Sequence, residues 1–254
     1  MKTSQQWINY FTLNLQQKRI DWLQLPCITD EELKPVLKSL QAWQLGETSE
    51  GRNLIKASTK HAEKNGDTLY VAAVKLFIKE EQKHGDNLGR YLDAIGQPRI
   101  KKDLGDTMFR KIRYLNASME MWTLAVITVE SAAQIFYQSL KDATHCNLLK
   151  QICTDILIDE APHITFQQQR LAAIFDRKKS IEKTITFYGY KFFYRVTALV
   201  VWMAHKKLFK AGGNSFKKYW RKMSMKFDKT IGSLKMAPFE KKKFHFITQQ
   251  CKHL

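Results

Sequence analysis

The chain has 254 residues and few of the features that would place it in several large classes. It has four cysteines, none in Cys-x-x-Cys spacing and too few for a secreted disulfide scaffold. Cys27, Cys146, Cys153 and Cys251 are therefore expected as reduced thiols. No uncharged apolar stretch approaches the roughly eighteen residues of a membrane span. No basic segment leads into an apolar run and a small-residue cleavage site. The expected location is cytoplasmic, with attachment to the periphery of a membrane left open. Five prolines, eleven glycines and no Ser/Gly-rich linker exclude a disordered chain or a flexible hinge. Acidic residues are scarce at one end only: residues 1–175 carry 22 Lys/Arg against 20 Asp/Glu, whereas residues 176–254 carry 20 against 4. Nearly all of the +18 net charge sits in the tail.

What is present is helical periodicity, and no stretch reads as a strand. Trp7, Ile8, Phe11 and Leu15 recur at helical spacing in a first segment expected to end near Pro26. Thr29-Asp30-Glu31-Glu32 matches a capping box, opening a second helix with Leu33, Val36, Leu37, Leu40 and Trp43 on its apolar side. Both are expected to pack outside a central bundle, with a lid over its site as the alternative. Four longer helices follow, at about 48–64, 67–95, 118 onward and through Asp159 to about 175. The second of these is stopped by Gly96 and Pro98. A connecting helix over 106–114 supplies the crossover between the two pairs, and Thr144 is placed to cap the last of the four.

Two short stretches carry the chemistry. Glu80-Glu81-Gln82-Lys83-His84 and Asp159-Glu160-Ala161-Pro162-His163 each place a carboxylate and an imidazole at i and i+3, one turn apart on the same helical face. Upstream of each pair lies another glutamate at matching distance: Glu50, 31 residues before Glu81, and Glu130, 30 residues before Glu160. A turn at Lys64-Asn65-Gly66-Asp67 and another near Lys141-Asp142-Ala143-Thr144 fold each half into an antiparallel helical hairpin. Glu130 lies in the apolar run Val126-Ile127-Thr128-Val129, where an unpaired carboxylate is costly and a cation would compensate it. Pro162 removes a backbone hydrogen bond inside its helix, so a kink is expected beside the pair.

These residues resemble the ferritin-like di-iron carboxylate proteins, in which one Glu from each of two helices and a Glu-x-x-His from each of two others converge in a bundle. The resemblance spans roughly residues 46–175 and implies an all-α, ferritin-like four-helix bundle with helices added at both ends. Residues 1–45 would pack on the bundle, and 176–254 would form a basic, aromatic-rich extension. It implies Glu50, Glu81, His84, Glu130, Glu160 and His163 as ligands of two iron ions, or of manganese or a mixed Fe/Mn pair. Glu80 and Asp159 resemble the acidic residues of bacterial di-iron monooxygenases that hydrogen-bond a ligand histidine from behind. Lys83 and Pro162 depart from that pattern, which usually has Arg there.

Tyr137 and Tyr70 are candidates for redox-active tyrosines or for core packing. His61 and His205 are candidates for further ligands or for satisfied histidines. A fifth helix from Ser180 to Gly212-Gly213 holds six aromatics between Phe187 and Tyr194, and it is expected to be buried on most sides. Against the bundle, Phe192, Val196, Leu199 and Met203 would line an apolar ligand cavity. A sixth helix, about 214–234, alternates aromatics with Lys217, Lys218, Arg221 and Lys222. That face suits an anionic membrane surface, an acidic carrier protein or nucleic acid. The expected function is an oxygen-activating dinuclear oxidoreductase acting on a small, apolar organic substrate and dioxygen. The alternatives are a ferroxidase and a non-enzymatic, metal-stabilised module binding polyanions through its tail. A homodimer through the C-terminal helices is a further expectation.

Overall fold

The computed structural model describes residues 1–102 and 118–235, and all regular structure among them is helical. The helices are α1 (Ser4–Leu15), α2 (Asp30–Glu47), α3 (Arg52–Asn65), α4 (Leu69–Ala94), α5 (Met119–Asp142), α6 (Asn147–Asp176), α7 (Ser180–Ala211) and α8 (Phe216–Lys229). A 3-10 turn at Gly232–Lys235 follows them. The connecting helix expected at 106–114 lies outside the described residues.

Local chemistry sets many of the boundaries. The Thr29 hydroxyl accepts from the Glu32 N–H while the Glu32 carboxylate accepts from the Thr29 N–H, the capping box read in the sequence. Ser118 caps α5 by accepting from the Met121 N–H. Thr144 does not cap α6 as expected. It sits two residues upstream and accepts from the N–H of Cys146, the residue at the cap position. The first helix is also shorter than expected, ending at Leu15, and residues 17–29 follow an irregular path.

The bundle has four columns. α4, α5 and α6 are single helices, while the first column is built from two, α2 and α3, both lying along α4. The helix expected over 48–64 begins only at Arg52, after a turn at 48–51 in which Gly51 adopts a left-handed conformation (φ +61) over the Ile78 side chain. The end of α2 lies directly on Gly85 of α4. A side chain there would place a Cβ 3.1 Å from the Thr48 nitrogen and 3.2 Å from the Glu47 carbonyl carbon. This close approach positions Glu47.

α1 packs on α4, and α7 closes on α5 and α2. The apolar interior divides into two clusters, and the polar stretches fall between them. On α4, Glu80, Glu81 and His84 lie between Ile78 of one cluster and Leu88 of the other; on α6, Asp159, Glu160 and His163 lie between Ile156 and Phe166. α6 remains helical through Pro162, so no break accompanies the proline. The exposure of Ile158, four residues earlier, leaves water able to reach the segment whose carbonyl loses its partner.

α7 departs from expectation. Tyr190, Tyr194, Ala198 and Trp202 face inward, but Phe192, Val196, Leu199 and Met203 are 72%, 43%, 41% and 57% exposed. They point away from the bundle and line no cavity against it, because their spacing puts them on the opposite side of the helix from the buried aromatics. α8 buries Tyr219, Met223 and Phe227 and leaves Lys217, Lys218 and Arg221 outward. Lys218 and Lys222 reach back to the Gly213 carbonyl (3.1 Å) and the Asn214 side-chain oxygen (2.9 Å), fastening the α7–α8 turn.

Candidate metal centre

Six side chains from the four columns form two groups of three. Glu47, His84 and Glu160 make one; Glu81, Glu130 and His163 make the other, and within each group the potential ligand atoms lie within 4.8 Å of one another. Each group has two carboxylates and one imidazole. Five of the six residues singled out in the sequence are here, and Glu50 is not. It stands in the turn between α2 and α3, paired with Arg52, its side chain 63% exposed. Glu47 takes the corresponding place because α2 stays helical to that residue and turns it inward. The Trp43 indole N–H (2.9 Å) and the Tyr137 hydroxyl (2.7 Å) both donate to Glu47 Oε1.

The histidines are oriented from behind and across the bundle. His163 of α6 lies with Nε2 2.8 Å from Glu80 Oε2 of α4, and His84 of α4 with Nε2 3.1 Å from Asp159 Oδ2 of α6. An Nε2–H donated to a carboxylate leaves Nδ1 as the lone-pair nitrogen, and both Nδ1 atoms are buried without a hydrogen-bond partner among the described residues. His163 Nδ1 is 2.7 Å from Glu81 Oε1, close enough to pair when the imidazole is protonated and to share one cation when it is not.

Behind these carboxylates is a layer that the sequence reading missed. Asn14 of α1 donates through one amide nitrogen to both Glu80 Oε1 (2.9 Å) and Asp159 Oδ1 (2.8 Å). Arg19, on the irregular stretch after α1, donates to Asp155 (2.7 Å), to Asp159 (3.0 Å) and to the side-chain amide oxygen Oδ1 of Asn14. Lys83 lies 3.3 Å from Asp155 and 3.8 Å from Asp159. The cationic support for Asp159 thus comes partly from outside the bundle. The lone hint in the sequence was Asn14 on an otherwise apolar helical face.

Burial pushes the Glu81 and Glu160 carboxyls well above their ordinary range, reinforced in both by the charge of Glu130, and burial also raises Glu130 itself. His163 is raised well above its usual value: burial opposes this, but the Glu81 charge and the bond to Glu80 outweigh it. Asp159 goes the other way. Burial would raise it, and the His84 and Asn14 contacts hold it below the usual carboxylate range. The donor set fits divalent cations on one direct observation. Glu81 Oε1, both Glu160 oxygens, His84 Nδ1 and His163 Nδ1 are buried and find no hydrogen-bond partner among the described residues. The predominance of oxygen donors suits iron or manganese better than zinc.

This electrostatic arrangement fixes a sign. With folded values raised above the unfolded ones, Glu81, Glu130 and Glu160 contribute stability to the metal-free protein that is complete below about pH 4.3 and lost as pH rises through the folded values. His163 adds a term of the same sign, complete below about pH 6.5. The opposite contribution of Asp159 is lost only as pH falls below the ordinary carboxylate range. The melting temperature of metal-free protein is therefore expected to fall between about pH 5 and pH 8, and loading with metal to flatten or reverse that trend. Thermal melts across that interval, with and without metal, check it.

Of the other sequence candidates, Tyr137 is buried against Glu47, and burial together with that carboxylate raises its hydroxyl well above the ordinary value. Tyr70 is buried beside Phe166, with the Arg170 guanidinium 3.7 Å above its ring. His61 lies outside both groups, held neutral with its pKa lowered to about 4 by burial and by Arg170. His205 packs against Trp43 and Phe136, its Nδ1 3.0 Å from the Ser39 hydroxyl, and belongs to neither group.

No family model matches the sequence, and comparison with curated proteins finds no match. Among solved structures, the chain is similar to an R2-like ligand-binding oxidase, determined as a tyrosine-to-phenylalanine mutant with an anaerobically reconstituted Mn/Fe cofactor. The TM-score is 0.59 at 16% identity, over 89% of this chain and 92% of that one. At that identity the likeness establishes architecture: the chain has the all-α, ferritin-like fold of the R2 type, with helices added before and after the four-helix bundle.

Proposed function

We propose that this protein holds two iron ions, or one iron and one manganese, and is an oxidase that uses dioxygen to oxidise or hydroxylate an organic, apolar substrate. The observation that carries this reading is the paired arrangement of two carboxylates and one imidazole, with both Nδ1 atoms and three carboxylate oxygens buried and in no hydrogen bond among the described residues. The Mn/Fe cofactor of the structural neighbour supports it.

Ions bound there would supply the electrons that reduce dioxygen. The chain supplies the frame. Glu80 and Asp159 fix the tautomer and tilt of His163 and His84. Trp43 and Tyr137 hold one oxygen of Glu47, leaving the other for a cation. Phe77, whose ring lies 4.8 Å from that of His163, and Phe11, at 6.1 Å, wall that side of the site with apolar surface and exclude water. Gln167, one turn beyond His163 on α6, is fully buried and has no partner for either amide atom among the described residues. It is the polar group best suited to meet a substrate atom or a water in the bundle.

The test is anaerobic loading with Fe(II), alone or with Mn(II), followed by exposure to oxygen with and without a long-chain fatty acid or a hydrophobic aromatic compound. Two metals per chain and oxygen uptake altered by the organic compound are expected. Turnover of many Fe(II) equivalents per chain without any organic compound, in a shell-like assembly, would establish a ferroxidase instead. Protein that binds no metal would sink the assignment altogether.

A further inference from the structure

The outward face of α7 carries a regular stripe that the bundle does not use. Ile181, Ile185, Tyr188, Phe192, Val196, Leu199 and Met203 are exposed by 79%, 70%, 60%, 72%, 43%, 41% and 57%. Their spacing is four, three, four, then four, three, four, so the pattern repeats every eleven residues. An eleven-residue repeat has about 3.67 residues per turn, close to a straight helix, so the stripe stays on one side over roughly 33 Å. Together these side chains expose on the order of 900 Å², above the few hundred Å² of a typical monomer's largest apolar patch and about what each partner buries in a standard interface.

The stripe is also symmetric about Phe192. In an antiparallel pair of α7 helices with a two-fold axis at that residue, Ile181 faces Met203 of the second copy, Ile185 faces Leu199, Tyr188 faces Val196 and Phe192 faces itself. Gly189 then faces Arg195, and a Cβ built at Gly189 meets no atom within 4 Å, leaving space for the arginine stem. The helix dipoles favour the same direction, since antiparallel pairing sets the N-terminal end of one α7 beside the C-terminal end of the other. Both ends of the stripe are basic: Lys178, Lys179 and Lys183 surround Glu182, which is paired with Lys178, and Lys206, Lys207 and Lys210 lie at the other end, so the association rests on the apolar stripe itself. We propose that the protein is a two-fold symmetric homodimer through antiparallel α7 helices in register at Phe192. The stripe lies on the opposite side of α7 from the bundle, so this inference is independent of the metal centre.

The test uses the full chain. Sedimentation equilibrium is expected to give a dimer, and Phe192→Glu, which places two carboxylates on the axis, to weaken it at least about 100-fold. Because the substituted side chain is already exposed, the variant is expected to keep its circular dichroism and melting temperature at dilutions where both proteins are monomers. Register is read by cross-linking in a Cys27→Ser, Cys251→Ser background. Phe192→Cys is expected to form a disulfide with itself under mild oxidation. Ile181→Cys alone is expected not to, but to cross-link when mixed with Met203→Cys. A monomer at all concentrations would overturn the proposal. So would a monomer that floats with anionic phospholipid vesicles and loses that binding on Phe192→Glu, the result expected if the stripe met a membrane surface. A dimer unaffected by Phe192→Glu would overturn it as well.

Discussion

Glu47→Ala is expected to reduce bound metal from two ions per chain to about one, and Glu50→Ala to leave both. The two glutamates are three residues apart and both precede α3, yet only Glu47 points between the columns, within 4.8 Å of ligand atoms from His84 and Glu160. Removing it leaves that group with one carboxylate and one imidazole, and affinity there should fall at least ~100-fold. Stability separates ligation from packing. Alanine strips the Tyr137 hydroxyl and the Trp43 N–H of their acceptor, at a cost of about 1–3 kcal/mol per buried donor left unpaired. Glu47→Gln keeps an acceptor for both while losing the charge. Metal content by elemental analysis after chelator competition, together with melts of the metal-free variants, makes the comparison. If Glu50→Ala loses metal and Glu47→Ala does not, the geometric assignment is wrong.

The same pair of residues shows how far the sequence was legible. The Glu-x-x-His stretches were readable because i, i+3 spacing is local: once a helix forms, both side chains must leave one face, and α4 and α6 form as expected. The capping box at Thr29 was readable for the same reason. The partner glutamate on the first column depended instead on where α2 stops. Matching the 30-residue interval of the second hairpin pointed to Glu50, but the first column is interrupted by Gly51, and an interval counted across a break loses its phase. A better signal was available. Glu47 continues the inward stripe of Val36, Leu40 and Trp43, with the Trp43 indole one turn behind it.

α7 illustrates a different limit. Its composition shows that much apolar surface must be covered, but not by what. A helix with large apolar side chains on both sides satisfies a bundle with one side and leaves the other outward, and only the three-dimensional packing tells the faces apart. The Asn14 and Arg19 contacts span 145 and 136 residues of sequence separation, to Asp159 and Asp155, and no periodicity reports an interaction of that kind.

Asn14→Leu is the variant in which that long-range network should show most clearly. Its amide supplies a donor to each of two fully buried carboxylates, and leucine of similar size supplies none. Loss of two charge-assisted bonds inside the bundle is expected to cost about 2–4 kcal/mol. The consequences for the two metal positions should differ. Asp159 keeps Arg19 and Lys83, so it continues to hold His84. Glu80 keeps only His163 among the contacts described above, so its carboxylate is freer to turn and His163 loses its orientation. Affinity should therefore fall by roughly 10–100-fold at Glu81, Glu130 and His163 and by less at Glu47, His84 and Glu160. Arg19→Met should invert that order, because it removes the guanidinium from Asp155 and Asp159 while Glu80 retains Asn14. Combining each variant with Glu47→Ala isolates the Glu81 group: the one ion that Glu47→Ala retains should be lost with Asn14→Leu and kept with Arg19→Met. Equal affinities in both combinations, or an unchanged melting temperature for Asn14→Leu, would show that α1 merely covers the bundle and does not set the geometry of its centre.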